Sequence, residues 1–165
     1  MTPKILIIVA DYYWHIASGL QVAAKFTLEE ESISKVKYKT IEVPGVFEIP
    51  VVISKNIKKY DGFIALGCVI KGETPHFDYI SKTSINAIMK LSVDNKTPIG
   101  MGIITALDIG QANLRSNEED LDKNISKSSV KGKLVKPNKG REAARAVLSV
   151  LGILKNESKW SSWKS

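Results

Sequence analysis

The spacing of apolar residues along this chain switches between two patterns. One is typical of buried strands and the other of amphipathic helices. Ile5–Ala10 is a continuous apolar run, as expected for a strand that is buried on both faces. Residues 14–30 then place apolar side chains at helical spacing. Val36–Glu42 alternates apolar and polar residues, and Phe63–Val69 is a second apolar run. We therefore expect three strands, with a long helix between the first two.

The remaining elements continue this alternation. The β-α-β-α-β-α-β-α order predicts an α/β three-layer sandwich, in which a four-stranded parallel sheet is flanked by helices on both faces. The other predicted elements are a short helix marked by Ile49, Ile53 and Ile57, a helix over 76–92 with Ile85, Ile88 and Met89 inward, a strand over Ile99–Thr105, a short helix over 108–115, and a last helix that contains Ala143, Ala144, Val147, Leu148 and Leu151.

The length of 165 residues predicts a single domain spanning residues 1–165. Residues 116–138 are its one irregular segment, acidic first and basic afterwards, and we expect a long loop there. Residues 156–165 form a tail that carries Trp160 and Trp163, and this tail either docks on a neighbouring subunit or is simply sticky, without a specific partner. No run approaches the roughly 18 apolar residues of a membrane-spanning helix.

The single cysteine, Cys68, excludes an intramolecular disulfide and fits a reducing compartment. The first apolar run is short and is followed at once by Asp11, without a cleavage pattern, so we expect a first core strand and a cytoplasmic location. With only two histidines and one cysteine, the composition argues against a zinc site, and we expect no metal.

The formal net charge of +7 favours attraction to phosphate, in a metabolite or a nucleic acid. Much of this charge is local to residues 115–141 and the tail, which favours solvated lysines with one or two selected for an anion. Neither zinc-finger spacing nor an aromatic RNA-binding strand is present, so we expect no nucleic-acid partner and no membrane partner.

Residues 66–79 carry the strongest signal for chemistry. The third strand ends there in a turn that contains Lys71, Glu73, Thr74 and His76 and leads into a helix. In an open parallel sheet, ligands bind outside the carboxyl ends of the strands. A histidine in such a loop can move protons, and a glycine followed by a helix N-terminus suits a phosphate. The alternative is that His76 is only a polar residue in the first turn of a helix, without a catalytic role.

Three further segments are candidates at the same edge of the sheet. Glu48, in the loop after the second strand, can bind ligand hydroxyls or complement a helix N-terminus. The aromatic residues after the first strand, 12–14, can stack on a planar ring or cover the sheet edge. Arg115 can contact phosphate through two hydrogen bonds or remain a solvated charge. His15 is better explained as a solvated helix residue.

Two motifs carry a family resemblance. Val43-Pro-Gly-Val-Phe-Glu-Ile-Pro50 matches the pattern VPGAFEIP except at Val46, and Leu66-Gly-Cys-Val-Ile-Lys-Gly-Glu-Thr-Pro-His-Phe-Asp-Tyr79 matches LGxVIRGxTxHxDY with Lys71 for arginine. Asn138-Lys-Gly140 agrees as well. From about residue 4 to residue 154 the chain resembles the 6,7-dimethyl-8-ribityllumazine synthases. The resemblance implies a flavodoxin-like fold and a transferase of riboflavin biosynthesis that needs no cofactor.

The resemblance also implies a role for each matching position. His76 would donate and accept protons, while Glu73, Thr74 and Arg115 would hold the phosphate of one substrate. Met101, Arg115 and Lys139 would come from an adjacent subunit. The pyrimidine and its ribityl chain would be bound by Tyr12 (with Trp14 as the alternative stacking residue), Val46, Phe47, Glu48, backbone groups of Cys68, Val69 and Ile70, and by Met101 and Lys139.

The sequence departs from the family at several of these positions. Met101 replaces a common phenylalanine, and Asp11 stands where arginine is frequent. The connection from Arg115 to Lys139 is longer than in capsid-forming members, which implies a homopentamer rather than a particle of sixty subunits. Two alternatives remain open at this point: a non-catalytic module that holds a flavin or ribityl compound, and a basic protein that binds RNA through residues 123–141.

Overall fold

A computed structural model describes residues 1–118 and 136–155. Every predicted helix and strand is present, with ends within a few residues of those expected from the sequence. The elements are β1 (Lys4–Ala10), α1 (Trp14–Glu30), β2 (Lys37–Val43), a 3₁₀ turn (Val46–Glu48), α2 (Ile49–Asn56), β3 (Gly62–Ile70), α3 (His76–Asn95), β4 (Ile99–Ala106), α4 (Ile109–Leu114) and α5 (Lys139–Val150).

The four strands form one sheet in the order β2-β1-β3-β4, and every pair is parallel. β1 and β3 are the two central strands, and their apolar runs are unbroken because both of their faces are covered. Along β1, Ile5 and Ile7 belong to one buried cluster, whereas Leu6 and Ile8 belong to the other. The predicted α/β three-layer sandwich is therefore confirmed.

Helices cover the sheet in two layers. Residues of α1 and α5 pack in the first cluster, while residues of α2 and α3 pack in the second. The prediction that Met89 points inward is wrong, because its side chain is 62% exposed. Its neighbour Ile88 is buried, and the single helical step from Ile88 to Met89 turns the side chain by roughly 100° around the helix axis, to the solvent side.

Three glycines allow close backbone contacts, two of them at α5 and one at the segment after α4. A Cβ atom on Gly100 would come 2.1 Å from the backbone oxygen of Ala143, and one on Gly140 would come 2.0 Å from that of Leu20. A Cβ on Gly19 would come 2.0 Å from the backbone oxygen of Ser116. These approaches fix the start of α5 and the segment after α4 against α1, because no side chain fits between them.

The predicted long loop, 116–138, lies mostly outside the described residues. Its ends, 116–118 and 136–138, are neither helix nor strand. The tail, with Trp160 and Trp163, also lies outside them. Among the helices of the described ranges, none is long and apolar enough to cross a membrane.

Candidate active site

The carboxyl ends of all four strands meet at one edge of the sheet, and the candidate residues follow them. Ala10 is paired in register with Val43, and Ile70 with Ala106. Hydrogen bonds extend this pairing past the strand ends, since the Asp11 N–H donates to the Val43 oxygen at 3.1 Å and the Lys71 N–H to the Ala106 oxygen at 2.9 Å. The loops after β1 and β2 therefore begin side by side, as do those after β3 and β4. Because Val9 is paired with Leu66, β3 runs about three residues beyond the end of β1.

We call residues 71–76 the catalytic loop, after the role that the sequence predicts for them. All six of its residues are exposed, and His76 is the first residue of α3. The backbone N–H of His76 makes a long contact of 3.5 Å with the hydroxyl of Thr74, and a Cβ on Gly72 would meet nothing within 4 Å. The N-terminus of a 20-residue helix carries a partial positive charge, which favours an anion beside the imidazole.

The turn after β2 places Val46, Phe47 and Glu48 next to the base of the catalytic loop. Val46 is buried against β3, where a Cβ on Gly67 would come 2.9 Å from its methyl group. The glycine thus makes room for the turn. Phe47 is 59% exposed and Glu48 is half-buried, so both side chains remain free to contact a ligand.

The aromatic residues after β1 divide into two kinds. Tyr12 and Trp14 are 75% and 74% exposed, whereas Tyr13 is half-buried against the first cluster. Burial accordingly raises the pKa of the Tyr13 hydroxyl. Tyr12 lies edge-on to Tyr13 with ring centroids 5.0 Å apart. Both proposed stacking residues are thus exposed at the sheet edge, and Tyr13 anchors the segment to the core.

The end of β3 presents backbone rather than a reactive side chain. Cys68 is buried, and burial raises the pKa of its thiol from 9.0 to about 11. The thiol therefore stays protonated near neutral pH and is a poor nucleophile. Val69 and Ile70 are half-buried and carry the strand to the catalytic loop.

Arg115 and Lys139 lie together, on the layer formed by α1 and α5. The Lys139 N–H donates to the Arg115 oxygen at 2.9 Å, and the Arg115 guanidinium donates to the Gln111 oxygen at 2.8 Å. The Lys139 ammonium pairs with Glu142. We call residues 115–117 with 138–140 the cationic arm. It belongs to the layer opposite α3, the helix that His76 begins.

One subunit leaves the candidate site open. The exposed residues include Tyr12, Phe47 and the whole catalytic loop, and Met101 on edge strand β4 is 44% exposed. A cavity of about 330 Å³ lies elsewhere, between the C-terminal parts of α3 and α5. Because this cavity reaches only Ser92 and later residues of α3, it lies roughly 24 Å along that helix from His76.

In the described part of the chain, no three His, Cys, Asp or Glu side chains lie close enough together to hold a metal ion. Two residues that sequence reasoning did not assign a role stand beside the candidate cations. They are Asn138, whose side chain is fully buried, and Glu142. The motif Asn138-Lys-Gly140 was the only signal for the first of them.

The fold defines an α/β protein with a parallel sheet, and the loops at the carboxyl ends of its strands form its candidate small-molecule site. The sequence model of the 6,7-dimethyl-8-ribityllumazine synthase family matches residues 2–155. Proteins named 6,7-dimethyl-8-ribityllumazine synthase are similar over nearly the whole chain. That of Agrobacterium fabrum is 39% identical, covering 93% of this chain and 95% of its own.

Two further relatives agree. The synthase of Bartonella tribocorum is 36% identical over 93% of this chain and 91% of its own, and the synthase 1 of Rhodopseudomonas palustris is 36% identical over 94% and 88%. The chain therefore belongs to the 6,7-dimethyl-8-ribityllumazine synthase family, the transferases of riboflavin biosynthesis.

Proposed function

We propose that this chain condenses 5-amino-6-(D-ribitylamino)uracil with 3,4-dihydroxy-2-butanone 4-phosphate to 6,7-dimethyl-8-ribityllumazine, with release of phosphate and water. Membership of the family over residues 2–155 carries this conclusion. The single reduced thiol, Cys68, is consistent with action in the cytoplasm.

In the proposed reaction, the amine of the pyrimidine attacks the ketone and forms an imine with loss of water. Removal of a proton next to the imine then expels phosphate, and the ribityl-bearing nitrogen closes the ring with loss of a second water. Both substrates are reactive by themselves, so much of the rate enhancement comes from holding the amine and the ketone together. No step requires an electron carrier or a metal.

His76 is the residue we assign to proton transfer. Its imidazole is exposed at the start of α3, beside a loop whose backbone N–H groups and helix N-terminus favour phosphate. Glu73 and Thr74 of the same loop hold the phosphorylated substrate, and Arg115 stabilises the leaving phosphate. Proton donor and leaving group are then neighbours, as phosphate expulsion needs.

The pyrimidine and its ribityl chain occupy the adjoining part of the edge. Tyr12 stacks on the ring, with Trp14 as the alternative. Val46 and Phe47 line the ribityl chain, and Glu48 accepts hydrogen bonds from its hydroxyls. Backbone groups of Cys68, Val69 and Ile70 contact the ring, and Met101 and Lys139 pack on it from the neighbour.

A second subunit completes the site in this proposal. The exposed Tyr12, Phe47 and catalytic loop need a cover that excludes water, and the cationic arm belongs to the other layer of its own chain. We assign a homopentamer, because the chain between Arg115 and Lys139 is long. Size-exclusion chromatography with light scattering would measure the mass, and a particle near sixty subunits would contradict the pentamer.

The test of the function is direct: both substrates are mixed with the protein, and lumazine absorbance and fluorescence are followed. A rate equal to that of the substrates alone would refute the proposal. Co-expression of His76→Ala and Arg115→Ala subunits tests sharing between subunits. About a quarter of the sites in an equal mixture regain both halves if the sites are shared, and activity then exceeds that of either variant alone.

A further inference from the structure

The cationic arm is held by one buried asparagine. Asn138 has no exposed surface, and its side-chain amide reaches three backbone groups on three different segments. Its oxygen accepts from the Gly140 N–H at 2.8 Å, while its nitrogen donates to the Gly19 oxygen at 3.3 Å and to the Asn117 oxygen at 2.6 Å. One side chain thus joins α1, the segment after Arg115, and the start of α5.

The backbone around this amide ties the two candidate cations to each other. Lys139 follows Asn138 directly, and its N–H donates to the Arg115 oxygen at 2.9 Å. Arg115 lies two residues before Asn117, which accepts from Asn138 at 2.6 Å. The backbones of Arg115 and Lys139 are therefore held together by hydrogen bonds at Asn138 and next to it.

Close packing makes this arrangement rigid. Gly19 and Gly140 bring the backbones of α1, Ser116 and α5 to distances at which no Cβ fits. The amide donors of Asn138 face two carbonyl groups inside this packing, where water is excluded and a hydrogen bond is strongly directional. A cap alone would need only the side-chain oxygen, since serine and threonine cap helices without the two donated bonds.

We propose that Asn138 is a positioning residue for the proposed reaction: its hydrogen bonds fix Arg115 and Lys139 as a preformed pair that is presented to the neighbouring subunit's site. The two donated bonds hold Arg115 for the phosphate, and the accepted bond, which caps α5, holds Lys139 for the pyrimidine. This inference rests on the proposed function for the identity of the anion, the phosphate of the butanone substrate. It goes beyond that function by assigning the geometry of the pair to a side chain that touches no substrate.

Three variants separate positioning from capping. Asn138→Ser and Asn138→Thr keep an oxygen that caps α5 but cannot reach the Gly19 and Asn117 oxygens, whereas Asn138→Ala removes both functions. We expect all three to raise the KM for the phosphorylated substrate roughly tenfold, as expected when a binding group is misplaced by about 1 Å or less. The KM for the pyrimidine should change less than twofold in Asn138→Ser and Asn138→Thr, because the retained cap keeps Lys139 at the start of α5.

A matched control accounts for lost stability. Ile53→Val loosens the opposite core cluster, far from the cationic arm, and should leave both KM values unchanged. Inorganic phosphate provides a readout without turnover, as a competitor in the assay and as a ligand that raises the melting temperature. Its affinity should fall in the serine and threonine variants about as much as in Arg115→Ala, and not in the control.

Wild-type phosphate affinity and KM in a folded Asn138→Ser or Asn138→Thr protein would overturn the inference and reduce Asn138 to a helix cap. An equal rise of both KM values would overturn it as well, because it would indicate a general loss of structure. The proposed function fails separately, when the unaltered protein forms no lumazine. Phosphate binding that depends on Arg115 and Asn138 would still support the pair in that case.

Discussion

The two halves of the proposed site are built in opposite ways. The catalytic loop is exposed throughout, and the space beside Gly72 is empty. The cationic arm is packed so closely that Gly140 and Gly19 admit no Cβ, and its hydrogen bonds meet at a fully buried asparagine. The difference indicates that one half can adapt to the substrates, while the proposed contact with a neighbouring subunit requires the other half to keep its shape.

Two alanine substitutions at glycines give the largest expected contrast between the halves. Gly140→Ala places a Cβ 2.0 Å from the Leu20 oxygen, so α5 must move away from α1. We expect a loss of about 3 kcal/mol or more in the free energy of unfolding. Gly72→Ala meets no atom within 4 Å and should change stability by less than about 0.5 kcal/mol.

Urea denaturation followed by circular dichroism measures both variants. The comparison of the two halves would break down if both variants lost the same free energy, or if Gly140→Ala were as stable as the unaltered protein. Thermal melting at several protein concentrations then shows whether the loss belongs to the subunit or to its assembly, because only the latter depends on concentration.

The next largest effect is expected from Arg115→Ala, a substitution in the cationic arm that should lower kcat/KM. Loss of a charge-assisted hydrogen bond to phosphate costs about 1.5–3 kcal/mol, or roughly 10- to 100-fold in kcat/KM for the phosphorylated substrate. Steady-state kinetics with each substrate varied in turn would measure it. Arg145→Ala is the control, since Arg145 pairs with Glu31 away from the arm. Equal losses toward both substrates would argue against the phosphate assignment.

His76→Ala should have a smaller effect on rate and almost none on stability. The imidazole is exposed, so its removal leaves the melting temperature within about 1 °C. We expect kcat to fall roughly tenfold rather than to vanish, because positioning supplies much of the rate and water can replace a proton carrier. His15→Ala is the matched control and should keep full activity. Undiminished turnover by His76→Ala would refute its role.

Much of the fold could be predicted from the sequence because its signals are local. The unbroken apolar runs predicted that β1 and β3 are strands buried on both faces, and helical spacing located α1, α3 and α5. The order of the strands is set by crossovers and had no local signal. Met89 was misplaced because the helical pattern alone does not say which neighbouring position faces the sheet.

The candidate site could be predicted only in part. His76 stood out because a titratable residue followed a strand and a glycine. The contact between Arg115 and Lys139 could not be found in the same way, since it depends on a backbone hydrogen bond between residues far apart in sequence. The close approach at Gly19 was also hidden, because a glycine inside a helical pattern shows no sign of which backbone lies against it.

The last prediction concerns the reactivity of the Cys68 thiol, which tests where the buried core ends along β3. Cys68 is buried only three residues before the exposed Lys71, and burial raises the pKa of its thiol to about 11. Since only the thiolate reacts, iodoacetamide at pH 8 should label native Cys68 far more slowly than the urea-unfolded chain. Gly72→Cys adds a thiol in open space, and this second site should react quickly in the native protein.

The Cys68 thiol also makes the free energy of unfolding depend on pH in the alkaline range. Its pKa is higher in the folded chain than the usual 9.0, so the neutral form is favoured by folding, and this contribution is complete below pH 9 and lost as pH rises from 9 to about 11. Cys68→Ala should flatten that part of the stability curve, measured by urea denaturation at each pH. Rapid labelling of native Cys68 would instead place the end of β3 on the exposed side, and the boundary between rigid core and catalytic loop would then lie before residue 68.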